Sequence, residues 1–464
     1  MAETYNPSSC DVVSAQLTPF NTEGSGDDID ITPIIVGFTI TQSIERPALH
    51  MAIQCYDGIG LLESLPIRGE EKLKITMKAH DLQIEKTIRG RIHSIDNVVP
   101  STARDAVGYT LHVMTEISYE AALYSITTAF RNKPASSMAH TIFKKYFSNT
   151  QDAVDDLGYQ EMIPYGGKKY GMAKDLKRYF YLQPSEGFLS LTIPDFPPQD
   201  SMLFVSSKAY SANSPSCSFR FFENFDGYYW CTDEFLIQKY TNNNRIVELN
   251  YQAFTTLDPR DAVSQITAIE EMKNTHRTNL PSELQGAYLN TVYEIDLNNH
   301  TAKRFNYKYL DSIKKYTATT GSAGPVIEND IHSKDFIEET FNVSRGNAKQ
   351  FMVFRDYDTD KTGGKGEVVR GEQHYKEIIQ NRTSYSKHLN ATRVSASLKG
   401  RLDLQAGQLV KVNARKLNVS GENVPNKQLS GNYLIQSVIH SVQQGLLDTD
   451  LKLIKYDWND GVDI

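Results

Sequence analysis

Cysteine is scarce in this chain: four in 464 residues, at Cys10, Cys55, Cys217 and Cys231. None sits in a C-x-x-C pair or at ligand spacing from a histidine, which argues against zinc ribbons and thioredoxin-like redox motifs. Cys217 and Cys231 flank an expected hairpin, so a bridge is geometrically conceivable. A chain without a leader is nevertheless expected to fold in a reducing cytosol, where thiols stay free. The opening run MAETYNPSSCDVV lacks the basic and apolar regions of a signal peptide. No apolar run approaches the roughly 18 residues that would mark a membrane span. Clustered basic charge is missing too. Lys and Arg number 49 against 56 Asp and Glu, a net charge of -7, whereas a nucleic-acid surface gathers Lys and Arg on one face. The densest basic stretch, Lys168-Lys169 to Lys177-Arg178, is interrupted by Asp175 and reads as a solvated helix face. Neither G-x-S-x-G nor H-E-x-x-H occurs.

What is present is a long series of alternating apolar and polar residues. The first 30 residues end in NTEGSGDDID, a Gly and acidic stretch that reads as a loop or loose arm. GFTITQSI, ALHMAIQCYD, KLKITMKA, TIRGRIHSI and GYTLHVMT follow at period two, with Asp57-Gly58 and Arg89-Gly90 as turn signals. Short strands so closely spaced predict a small antiparallel barrel or sandwich, and 1–117 is taken as a barrel with an N-terminal arm. From 118 to 205 the reading is a helix-rich α/β domain. SYEAALYSITTAF and KPASSMAHTIFKKYF read as helical, Met138, Ile142, Phe143 and Tyr146 form one apolar face of the second, and the helix-rich stretch runs on through AKDLKRYFYLQ. Pro134 stands at the start of the second of these, where a proline is welcome.

Strands are expected to return as a hairpin, CSFRFFEN and YYWCTDEFLIQ across FDG. Between 256 and 384 the pattern is mixed: a helix over DAVSQITAIEEM (Ala262, Ile266, Ile269), a hairpin across Asn298-Asn299, and a helix through Tyr375, Ile378, Arg382, Tyr385 and Leu389. Strands resume over 392–457. The division expected is therefore a first barrel over 1–117, the helix-rich domain over 118–205, a discontinuous second barrel from 206–255 and 385–464, and a mixed α+β insertion over 256–384. The fold class is mainly β with α+β insertions.

Candidate sites are few. Asp356, Asp358, Asp360 and Glu367 occupy positions 1, 3, 5 and 12 of a calcium loop in DYDTDKTGGKGE. Lys361 replaces the turn glycine at position 6 and adds positive charge, so the expected reading is a solvated acidic loop. TGGKG lacks the Ser/Thr and the earlier glycine of a phosphate loop. Glu270-Glu271 falls on the surface of an expected helix. Tyr228, Tyr229 and Trp230 could supply aromatic platforms for a carbohydrate, although on a strand they would split between two faces. No catalytic, cofactor-binding or metal-binding residue is assigned, no cofactor is implied, and the chain is not read as an enzyme.

One tetrapeptide is written twice, Ile92-His93-Ser94-Ile95 and Ile439-His440-Ser441-Val442. Its flanks also correspond. LPIRGEEKLKITM precedes the first and LDLQAGQLVKVNA the second, each a glycine (Gly69, Gly407) followed by an alternating strand; another alternating strand follows each copy. A longer loop, LNVSGENVPNKQ, separates glycine from histidine in the second. The pattern predicts one small barrel used twice, with His93 and His440 as equivalent, packed, structural positions. No nucleophile or acid at fixed spacing supports a catalytic role for either.

The stretch 193–236 resembles the baseplate hub protein of T-even-like contractile-tailed bacteriophages, the hub family of phage tails and related injection systems. Ile193, Pro194, Pro198, Phe219, Glu223, Asn224, Asp226, Gly227 and Tyr228 carry the match. GAYLNTVYEIDLNNHTAKRFNYKY resembles the family's later hairpin, and the end, from the helix with Arg382 through VSASLKGRLDLQAGQLVKV and LSGNYLIQSVIHSV, its closing barrel. The resemblance spans most of 30–457 and is weakest at 1–30 and 310–370. It implies two tail-tube-like barrels per chain and a homotrimer, hence six barrels in a ring. Such a ring caps a hexameric tail tube, or a tube-initiator protein, and holds a trimeric central spike. Other baseplate proteins, the tape measure among them, are further implied partners, and DNA passes only as cargo through the lumen. The chain stops soon after LIKYD, so the spike is expected to be a separate protein. The implied location is the virion's tail baseplate, assembled in the bacterial host cytoplasm. The alternatives carried are a lysozyme-like cell-wall enzyme and a carbohydrate-binding tail component.

Overall fold

The computed structural model describes residues 8–19, 28–64, 67, 71–80, 82–100, 106–147, 159–162, 170–173, 179–212, 216–242, 246–251, 267–277, 289–296, 300–308, 349–355, 378–382, 392–414, 426 and 429–456. The fold is mainly β, as the alternation predicts. Its first barrel comprises β1 (Cys10–Thr18), β2 (Ile29–Asp30), β3 (Ile35–Ser43), β4 (His50–Asp57), β5 (Lys72–Ala79), β6 (Ile84–Pro100) and β7 (Val107–Thr115). Neighbours run β3-β4-β7-β6-β5-β1, and β1 then pairs with β2. Because β2 leads through the turn Thr32–Ile34 into β3, the two act as one kinked strand that pairs with β1 at its start and β4 along its body. The ring is thereby closed through β2. Alternation fills it: Met51, Ile53 and Cys55 of β4 meet Ile75 and Met77 of β5 and Leu111 and Val113 of β7 in one apolar cluster.

The middle of the chain departs from the helix-rich expectation. Helices Glu116–Ala122, Ala135–Tyr146 and Pro198–Ser206 alternate with β8 (Ile126–Lys133), β9 (Tyr159–Met162), β10 (Tyr170–Ala173), β11 (Tyr179–Leu182) and β12 (Leu189–Phe196). ITTAF, read as helical, and YFYL, within the stretch read as helix-rich, are strands. Strand partners decide it: β8 pairs with β12 and β11 with β14 (Gly227–Thr232), so that Ile126, Phe130, Phe180 and Leu182 turn inward onto one core. The second helix is as expected, with Pro134 at its N-cap and Met138, Ile142 and Phe143 buried. β13 (Phe219–Asn224) and β14 form the expected hairpin as far as Thr232, but DEFLIQ, read as the rest of its second strand, is helical. The hairpin lies beside β11 rather than among the later strands, and the helix Asp233–Asn242 follows it.

The second barrel comprises β15 (Val247–Tyr251), β16 (Ala268–Ile269) and β17 (Glu271–Arg277), then β21 (Thr392–Lys399), β22 (Leu409–Ala414), β23 (Gly431–Gln443) and β24 (Leu446–Lys455). Between them β18 (Leu289–Asp296), β19 (Thr301–Lys308) and β20 (Lys349–Arg355) make a separate sheet, the first two being the hairpin across Asn298-Asn299. A helix was expected over DAVSQITAIEEM. Thr267 is helical, but Ala268–Ile269 and Glu271–Met272 are strand instead, because Ile269 belongs in the barrel core beside Val394 and Leu453 while β15 and β21 supply backbone partners. The ring order is β17-β21-β24-β23-β22-β15, and β15 closes onto β16, which runs on into β17. Chain order and ring order therefore repeat those of the first barrel strand for strand. One strand breaks the copy: β15 lies parallel to β22, whereas β1 is antiparallel to β5.

Candidate assembly interface

The hairpin β13–β14 packs on both faces. Phe221, Tyr228 and Trp230 enter the helical core, while Phe222 and Tyr229 point the other way, against Leu409, Leu434 and Ile454 of the second barrel. The aromatic trio considered as a sugar platform is thus buried, Tyr228 at 2 % exposure and Tyr229 and Trp230 at 0 %. The residues at the hairpin's tip tie the parts together. The Glu223 carboxylate is fully buried and accepts from the Leu49 N–H (3.0 Å), the Thr115 hydroxyl (2.7 Å) and the Ser118 hydroxyl (2.9 Å), all on the side of the first barrel. Asn224 donates to the Ala406 carbonyl at 2.9 Å, on the side of the second, and its Oδ1 accepts from Asp226 and Gly227 N–H to fix the turn. A buried carboxylate with several donors costs little while all are present and much when one partner is lost.

The two barrels also share a sheet. The outer edge of β3 pairs antiparallel with β23, from Ser437↔Ser43 to Gln443↔Gly37. A Cβ on Gly37 would lie 2.6 Å from the Val442 carbonyl oxygen, so this crossing admits only glycine without a backbone shift. Next to the seam, Ile44 N–H donates to the Gln436 carbonyl (2.9 Å) and Gln436 Nε2 to Glu45 Oε1 (2.6 Å).

Register corrects the expected equivalence of His93 and His440. Ile92 pairs with Val113 and Ser94 with His112, which leaves His93 as the extra residue of a bulge. In β23, Ile435 pairs with Leu453 and Ser437 with Lys452, which leaves Gln436 in the same position. The flanks agree, since Ile92 N–H donates to Glu71 O and Ile435 N–H to Gln408 O. The true counterpart of Ile92-His93-Ser94-Ile95 is Ile435-Gln436-Ser437-Val438, and the second IHS begins four residues further along. Repetition was legible, but its register was not, because identical letters outweighed a neighbouring tetrapeptide differing at the bulge.

The two histidines accordingly live differently. His93 is exposed, near His50 and His112, each with its ring centre 6.1 Å away. His440 is fully buried. Its Nε2–H donates to the Leu404 carbonyl at 3.0 Å, which leaves Nδ1 to accept from the Thr449 hydroxyl at 3.2 Å. Burial drives its pKa down to about 4, so the ring is neutral. Arg382 spends its guanidinium on the carbonyls of Ser206, Ser207 and Cys217, joining its helix to the middle region. Cys217 and Cys231 are free thiols, and burial holds Cys217 up at about 12 and Cys231 higher still. Glu271 lies in β17 rather than on a helix, with Glu270 just before it. The acidic loop Asp356, Asp358, Asp360 and Glu367, the TGGKG stretch and Gly69 fall outside the described residues. Among the described residues no cluster of three or more His, Cys, Asp or Glu could hold a metal ion, and no helix is long and apolar enough to cross a membrane.

No family model matches this chain, and no curated protein sequence matches it. Solved structures do. A tail protein from Neisseria meningitidis is similar across 97% of this chain and 97% of its own, with a TM-score of 0.48 and 10% identity. The 43 kDa tail protein of prophage MuSo2 from Shewanella oneidensis is similar across 95% of this chain and 98% of its own, with a TM-score of 0.48 and 9% identity. An E. coli component of the type VI secretion system, described as similar in structure to T4 bacteriophage tail proteins, matches over 95% of this chain and 76% of its own, with a TM-score of 0.42 and 10% identity.

Proposed function

We propose that this chain is the structural hub of a contractile tail baseplate, in a phage or in an injection machine derived from one. Three copies set six barrels in a ring, which meets a hexameric tail tube on one face and a trimeric spike on the other and leaves a channel for DNA as cargo. One observation carries this reading: two barrels of one strand order, joined edge to edge in a single chain. A three-fold assembly offers a six-fold face only if each chain holds two equivalent parts. The middle region and the sheet β18–β20 would then widen the hub toward the spike, and the chemistry required is complementarity of shape and strand edges.

The decisive experiment is the molar mass of the purified chain together with images of the assembled particle. A trimer whose end view shows six equal densities is expected. A stable monomer in the presence of tube and spike proteins would sink the proposal. Turnover of peptidoglycan by the pure chain, abolished by a single carboxylate change, would put a lysozyme-like enzyme in its place.

A further inference from the structure

Each barrel presents one edge to the seam: β3 from the first, β23 from the second. The repeat gives both edges a counterpart. β17 stands where β3 does, and the far part of β6, Ser94–Pro100, stands where the seam half of β23 does. β17 pairs with β21 on one side, and among the described residues no strand pairs along its other side. β5 covers β6 only as far as Arg91, and among the described residues no strand covers the same side of Ser94–Pro100. That second edge carries two exposed apolar side chains, Val98 at 50 % and Val99 at 62 %. An uncovered edge with apolar residues is a template for another strand.

We infer that Ser94–Pro100 of one copy pairs antiparallel with Glu271–Arg277 of a second copy, in the register of the seam that each chain already builds internally. The inference rests on the trimeric reading above and names the surface that would make it. Register follows from shared neighbours. Asp96 pairs with Thr110 as Ile439 pairs with Asp450, and Val99 with Gly108 as Ser441 with Asp448. His276 pairs with Arg393 as Thr41 pairs with His50, and Lys273 with Ser395 as Thr39 with Ala52. Since Ile439 faces Thr41 and Ser441 faces Thr39 in the seam, Asp96 faces His276 and Val99 faces Lys273 between copies.

A second observation supports the match. β6 carries one extra residue between Asp96 and Val99, where Asn97 has a φ of 53°. β17 carries one extra residue between Asn274 and His276. Neither β3 nor β23 has a bulge at that point of the seam. In the register inferred the two extra residues fall opposite each other and cancel, so the pairing continues across them. The contact is head-to-tail, each copy giving one edge and taking the other, which closes into a ring when the rotation allows.

The test uses the full chain with V99C and K273C introduced together and a short bis-maleimide linker. Background is low because the four native cysteines are buried. Covalent dimers and trimers are expected, with none of the trimer from V99C or K273C alone and neither species from L123C paired with K273C, Leu123 being exposed elsewhere. A trimeric mass without the 99-to-273 link overturns the edge register and leaves the six-barrel reading standing. A monomer at every concentration, with tube and spike proteins present as well, overturns both. Linked chains longer than three uphold the edge pairing and overturn the closed ring.

Discussion

At the scale of single residues, two buried polar side chains set measurable behaviour. His440 has a folded pKa of about 4 against an ordinary 6.5. Its pKa is lowered in the folded state, so the unfolded chain binds the extra proton first. The stability it contributes is therefore full above about pH 6.5 and is lost as pH falls toward 4. The whole loss is about 3 kcal/mol. Unfolding midpoints of the native chain should drop between pH 7 and 4.5 more steeply than those of His440→Gln, which cannot titrate; equal slopes would remove His440 as the cause. Glu223 makes a different case. Replacing it by Ala strands the Leu49 N–H and the Thr115 hydroxyl and leaves the Ser118 hydroxyl with Tyr228 alone, at a cost of about 3 kcal/mol. Urea unfolding should show it, and Glu223→Gln, which keeps an acceptor oxygen, should lose less.

At the scale of elements, the seam between β3 and β23 is the joint most open to test. Gly37→Ala drives a methyl group against the Val442 carbonyl, and overpacking of this kind costs about 2 kcal/mol. Hydrogen exchange should report faster opening across Gly37–Ser43 and Ser437–Gln443, while the first barrel's β4 and β7 keep their protection. Uniform loss across both barrels would mean that the seam and the barrels unfold as one unit. The same scale shows why helices were overread in the middle of the chain. ITTAF and YFYL have apolar residues that fit a helical face, and only a neighbouring strand, β12 for one and β14 for the other, settles them as β.

At the scale of the whole molecule, association should depend on one short edge. Aspartates at Val98 and Val99 place charge on an exposed strand without touching a core. The doubly substituted chain is expected to keep the native melting temperature and to fall from trimer to monomer in light scattering, because every junction needs that edge. An unchanged trimer would place the contact elsewhere. Mixed with native chains, the variant should shorten assemblies, since it can still offer β17.

What the amino-acid sequence determined alone was the β character, the two barrels and the fact of repetition. Alternation of apolar residues is a local property, and a duplicated order of strands survives as a duplicated order of patterns. It also located the hairpin with Glu223 and Asn224, because its turn chemistry is local. Only the tertiary structure decided the register of the repeat, in which Gln436 and not His440 is the counterpart of His93. A bulge exists only where a partner strand skips a residue, and no single strand records that. It also decided that Ala268–Ile269 and Glu271–Arg277 are barrel strands and that Tyr228, Tyr229 and Trp230 are buried. Strand pairing and burial depend on groups far away in the chain, and those distant partners choose among states that local pattern leaves close in energy.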